Sequence, residues 1–166
     1  MGYAQQTGVL KRKVEINTNV KSNSMYNRFL VKAIKETDEL YSGYEGLVQK
    51  VWNKEAKDDL AEESKKVQEL VNEYSELVKS TRVYKGGNAY MKATSDYIDA
   101  TIERIKCLEK YGILGVDDSS DVEEYNKSKI AFDKATDNAI SKRNIVQEKK
   151  KEFENIESKK SKKQKQ

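Results

Sequence analysis

The chain has 166 residues but no histidine, no proline, one cysteine and one tryptophan. Without histidine it lacks the side chain that most often acts as a general base or metal ligand near neutral pH. Cys107 stands alone, so it can neither close a disulfide within the chain nor find an imidazole to activate it. The absence of proline removes the strongest helix breaker, which costs about 3 kcal/mol inside a helix. No stretch approaches the roughly 18 apolar residues of a membrane span. Residues 1–6 lack the basic and apolar regions of a secretory signal. The expectation is a protein made in the cytoplasm and not membrane-spanning, with any export using a route without a cleaved signal peptide.

The acids that are present do not assemble a reactive site by spacing. Asp58-Asp59, Glu62-Glu63 and Glu123-Glu124 are adjacent pairs, and neighbours in a helix point in different directions. Gly86-Gly87 is not followed by the lysine and hydroxyl residue of a phosphate-binding loop. Catalytic residues, metal ligands and cofactors are therefore not expected, nor is a small-molecule substrate.

Charged residues make up 36% of the chain and hydrophobic residues 36%. That balance suits long helices with narrow apolar stripes better than a thick core. The net charge of +4 is concentrated at one end. Residues 158–166 hold Lys159, Lys160, Lys162, Lys163 and Lys165 with no acid, leaving the rest close to neutral. Such a stretch reads as a basic disordered tail. No aromatic interleaves with it, so base stacking on nucleic acid has no support.

Residues 1–20 are the least helical, with Val14, Ile16 and Val20 alternating with polar residues as in a short extended segment. Asn17, Thr18 and Asn19 read as a turn. A first helix is predicted over 23–51, capped by Ser22 or Ser24. Tyr26, Phe29, Leu30, Ala33, Ile34, Leu40, Tyr41, Tyr44, Leu47, Val48 and Val51 recur at three and four residues along it. Gly43 and Gly46 weaken that helix and leave room for a partner helix. A second helix is predicted just past Trp52, with Asn53 as its cap and Leu60, Val67, Tyr74 and Thr81 spaced by seven.

Gly86-Gly87-Asn88 ends or kinks the second helix. A third stretch carries Met91, Tyr97, Ile98, Ile102, Ile105, Cys107 and Leu108 and ends at Tyr111, with Gly112 as its cap. After a loop, Ser120 and Glu123 form a capping-box pattern for a last helix. Its apolar stripe is Val122, Tyr125, Phe132, Ala135, Ala139, Ile140, Val146, Phe153 and Ile156. The expected fold is all-α: an elongated antiparallel helical hairpin over 21–112 with its corner at Trp52, then a loop and C-terminal helix, or second hairpin, over 113–157.

At that corner Trp52 admits two readings that do not exclude one another. It can close the hairpin core, or it can present a face for recognition, as tryptophans often do at interfaces. Tyr44, Leu47, Trp52, Leu60 and Val67 are the candidate partner-binding residues, either at a docking surface or in the core behind it.

With its long first helix, the corner Trp52-Asn53-Lys54-Glu55-Ala56 and an apolar second helix, the chain resembles the WXG100, or ESAT-6-like, proteins of bacterial type VII secretion. It is most similar to the small helical partners of LXG-domain toxins, whose short openings resemble Val14-Glu15-Ile16-Asn17-Thr18. The resemblance covers roughly residues 14–110. Lys54 stands where the family's Trp-x-Gly has glycine. The family's export signal sets an acid four residues after a tyrosine, beyond the second helix. Here Tyr41 with Glu45 has that spacing in the first helix, and Phe153 with Glu157 has it with phenylalanine. The resemblance implies a non-enzymatic chaperone-like protein that pairs as a hetero-oligomer with a co-secreted toxin's N-terminal domain and helps target it to the export apparatus. The alternatives are a basic-tailed helical protein that binds nucleic acid or a phage or cell structural assembly, and an immunity-type inhibitor.

Overall fold

The computed structural model describes residues 14 and 16–164, with the side chains of 157 and 160–164 excepted. Among the described residues there are four helices and no strand: α1 (Asn23–Trp52), α2 (Leu60–Ser80), α3 (Asn88–Val116) and α4 (Val122–Gln164). The protein is all-α.

α1, α2 and α4 each start where a side chain can satisfy the free amides of the first turn, whereas α3 starts after Gly87 without a side-chain cap. Ser22 Oγ accepts from Met25 N–H at 3.1 Å at the start of α1. Asp59 caps α2 by accepting from Ala61 and Glu62, and Glu62 and Glu63 set negative charge against the positive end of the helix. Asp121, in place of the expected Ser120, caps α4, its Oδ1 accepting from Glu123 N–H at 2.8 Å. Ser120 turns back and donates its hydroxyl to the Leu114 carbonyl oxygen.

Three expected boundaries move. Asn53 ends α1 instead of starting α2, because Asp59 is the residue whose carboxylate reaches the amides of the next helix. Gly112 lies inside α3, buried, and the helix continues to Val116. α2 stops earlier than expected, at Ser80 with Thr81 as its C-cap, so Gly86-Gly87 neither end nor kink it; Gly86, at φ 83°, lies in the turn before α3 starts at Asn88.

α3 packs against α1, α2 and α4, and α1 also packs against α2. Tyr90 meets Asn27 and Tyr97 meets Asp38, so α3 runs with α1. Arg104 meets Thr136 and Tyr111 meets Tyr125, so α4 runs against α3. Enclosure on three sides explains why α3 buries many small residues, among them Ala93, Thr94, Ala100, Thr101 and Gly112. Thr94 and Thr101 return their hydroxyls to carbonyls four residues back, which removes the cost of burying them.

α4 contributes a seam of period seven: Tyr125, Phe132, Ala139, Val146 and Phe153. Val122, Ile140 and Ile156, assigned to its stripe from sequence, are instead exposed, as is Ile130. Ile156 still lies against Gly86 in the turn before α3, and scattered surface apolar residues are ordinary. The backbone of α4 stays helical through Gln164, past the point where the lysine run begins. Of the proposed extended segment, 1–13 and 15 lie outside the described residues, as do 165 and 166. Val14, Ile16 and Val20 pack against the core without strand pairing, and Asn17 Oδ1 accepts from Asn19 N–H in the expected turn.

Candidate functional site

The corner after α1 is built on a left-handed residue. Lys54 has φ 62°, a conformation that costs a residue with a Cβ roughly 1–2 kcal/mol. Lys54 N–H donates to the Val51 carbonyl oxygen at 3.1 Å, and Glu55 N–H donates to that of Lys50 at 2.8 Å. These two bonds, one nested inside the other, close the last turn and satisfy carbonyls that would otherwise be left at the helix end. The chain is thereby turned back with Trp52 facing α3.

Trp52 is half-buried, and its Nε1–H donates to the Gly112 carbonyl oxygen at 2.8 Å. A Cβ on Gly115 would lie 2.8 Å from three atoms of the indole, so only glycine leaves room for the ring there. Tyr111 meets the indole edge to face, with ring centroids 5.1 Å apart at 89°. Tyr111 in turn contacts Tyr125 at 5.2 Å and Phe132 at 5.8 Å. Burial, followed by the Tyr125 hydrogen bond, pushes the Tyr111 hydroxyl up to about 12. The corner is thus an aromatic cluster uniting α1, α3 and α4, with Trp52 left partly exposed.

The other candidate partner-binding residues lie in the core behind this corner. Tyr44 and Val67 are fully buried, and Leu47 and Leu60 nearly so. The Tyr44 hydroxyl donates to the Leu60 carbonyl oxygen at 2.9 Å, tying α1 to the start of α2. Trp52 alone among the five is partly exposed.

Of the spacing-matched export residues, Tyr41 and Phe153 are buried. Tyr41 is buried under the Arg104 guanidinium, 3.9 Å from the ring centroid, and donates to Glu45 Oε2. Phe153 is 1% exposed and sits among Tyr26 and Tyr90. The side chain of Glu157 lies outside those described. Cys107, expected on an apolar stripe, is only partly buried, and burial followed by Glu103 pushes its thiol up, away from the reactive thiolate.

A second cluster escapes the sequence pattern. Asp38 accepts from the Tyr97 hydroxyl through Oδ1 and meets Arg143 through Oδ2 at 2.6 Å, while Arg143 also donates to Tyr97 Oη at 3.0 Å. The three residues come from α1, α3 and α4. Burial and then the bond to Asp38 push the Tyr97 hydroxyl up. The seven-residue spacing of aromatic positions in α4 was the available signal for its inward face, but no local pattern pairs Asp38 with Arg143.

Among the described residues, no group of three or more histidine, cysteine or acidic side chains is placed to hold a metal ion. No described helix is long and apolar enough to cross a membrane. Comparison with protein-family models, curated proteins and solved structures yields no match.

Proposed function

We propose that this protein is a non-enzymatic helical interaction protein that pairs with a co-secreted toxin or similar helical partner and helps target it to type VII secretion. In this reading α1 and α2 are the elongated hairpin body, α3 and α4 add a second helical pair, and the Trp52 corner is the family's turn. The observation that carries it is Lys54. It adopts the left-handed conformation that suits a glycine at the third position of Trp-x-Gly, so the corner forms without that glycine. The partial exposure of Trp52 and the all-helical architecture are consistent with docking another helix.

The test is co-expression with the product of a neighbouring gene that has a long helical N-terminus, followed by purification through a tag on either chain. A stoichiometric complex that survives removal of residues 158–166 is expected. A monodisperse monomer, unchanged on mixing with that product, would refute the reading. Salt-sensitive binding to nucleic acid, lost on removal of 158–166, would favour the basic-tail alternative instead.

A further inference from the structure

α1 and α4 are clamped together at two points and leave a pocket between them. At one clamp Asn27 Nδ2 donates to Glu154 Oε2 at 3.0 Å, beside the Tyr26–Phe153 ring contact. At the other, Arg143 meets Asp38. The clamps lie roughly 16 Å apart along α1 at the helical rise per residue. The pocket between them has a volume of about 200 Å³. Besides the Asp38–Arg143 clamp it is lined by the buried Ile34, Val146 and Tyr90, the exposed Val31, and Lys35, Gln147 and Lys150. Val31 is 43% exposed, a large apolar side chain open to water beside two buried ones.

The charges at the mouth are unbalanced. The pocket's single carboxylate, Asp38, is already engaged by Arg143 and Tyr97. Lys150 reaches Glu154 at 3.6 Å, a partly exposed pair in one helix that holds the ammonium weakly. Lys35 adds a second cation on the opposite wall. An apolar floor under a cationic rim complements an apolar side chain flanked by carboxylates. The groove between two helices suits a third helix, whose ridge of side chains can settle into it.

We propose that this pocket docks an acidic amphipathic helix of a partner protein. One apolar side chain enters over Val31, and carboxylates a turn to either side meet Lys35 and Lys150. The proposal rests on the reading of the chain as a helical interaction protein, and it names the chemistry of the partner's docking face.

The test uses the full chain with labelled methyl groups, titrated with two synthetic helical peptides sharing a leucine face, one flanked by glutamates and the other by lysines. Saturable shifts at the Val31, Ile34 and Val146 methyls are expected with the glutamate peptide, weakening as salt rises. The double variant Lys35→Glu/Lys150→Glu, checked for native helicity, should bind it at least tenfold less tightly. Should that variant fail to fold, Lys35→Gln/Lys150→Gln should still reduce binding several-fold. No saturable shift, an equal response to the lysine peptide, or undiminished binding by the folded variant would overturn the proposal. If the peptide binds as expected but no toxin-like neighbour co-purifies, the pocket stands and the secretion reading falls. If the neighbour co-purifies equally with the double variant, the secretion reading stands and the pocket falls.

Discussion

The indole N–H of Trp52 is bonded to the carbonyl oxygen of Gly112 at 2.8 Å, so the last residue of α1 is tied directly to the end of α3. Trp52→Phe keeps an aromatic ring but removes the donor, and a hydrogen bond of this kind contributes about 0.5–1.5 kcal/mol net. With the smaller ring, a loss of about 1–2 kcal/mol is expected. Urea unfolding followed by circular dichroism would read it as a lower midpoint at unchanged slope. An unchanged midpoint would mean that the bond does not hold the corner.

Lys54→Gly should stabilise the protein. Glycine relieves the left-handed strain at φ 62°, worth roughly 1–2 kcal/mol, but gains freedom in the unfolded chain worth about 0.4–1 kcal/mol. The expected net is a gain of up to about 1.5 kcal/mol, while Lys54→Val should lose stability because a β-branched residue fits that region worst. Thermal unfolding of the three proteins in parallel would show the order Gly above Lys above Val.

Two glycines should respond in opposite directions to the same change. Gly115→Ala places a methyl 2.8 Å from the Trp52 ring and forces it outward, with an expected loss of about 1–3 kcal/mol. The emission of Trp52, the chain's one tryptophan, should shift to the red. Gly46→Ala meets nothing within 4 Å and should gain up to about 1 kcal/mol from helix propensity. A gain at both positions would show that the indole does not sit over Gly115.

Tyr26 carries a buried hydroxyl with no hydrogen-bond partner, and burial pushes it up to about 12. A folded value above the unfolded value of about 10 means that the folded state holds the proton longer. Its contribution is fully present below pH 10 and is lost as pH rises towards 12. Tyr26→Phe removes a polar group whose unpaired burial costs about 1–3 kcal/mol. The variant should be at least as stable as the parent at pH 7 and should show a shallower decline between pH 10 and 12. Loss of more than about 1 kcal/mol at pH 7 would reveal a partner for that hydroxyl.

Much of the secondary structure was legible because helical periodicity is local. The three- and four-residue recurrence from Tyr26 to Val48 marked the side of α1 that is buried, and Leu60, Val67 and Tyr74 did the same for α2. The caps were harder to read. Asn53, Ser120 and Gly112 all have suitable chemistry for helix ends, but so do Asp59 and Asp121 nearby, and only backbone position decides which side chain reaches a free amide. In α4 the apolar residues off the seven-residue seam misled, since Val122 and Ile140 could sit on an inward face only if the helix were packed on more sides than it is.

The sequence by itself determined that this is a helical chain turning near Trp52, with no histidine and a single cysteine. Those properties follow from composition and from contacts between near neighbours. The tertiary structure alone decided that Gly112 and Gly115 serve as the seat of Trp52. It also decided that Asp38, Tyr97 and Arg143 join three helices, and that a cationic pocket lies between α1 and α4. These are pairings across long stretches of chain, and they depend on the rotation and separation of whole helices, which no local spacing encodes.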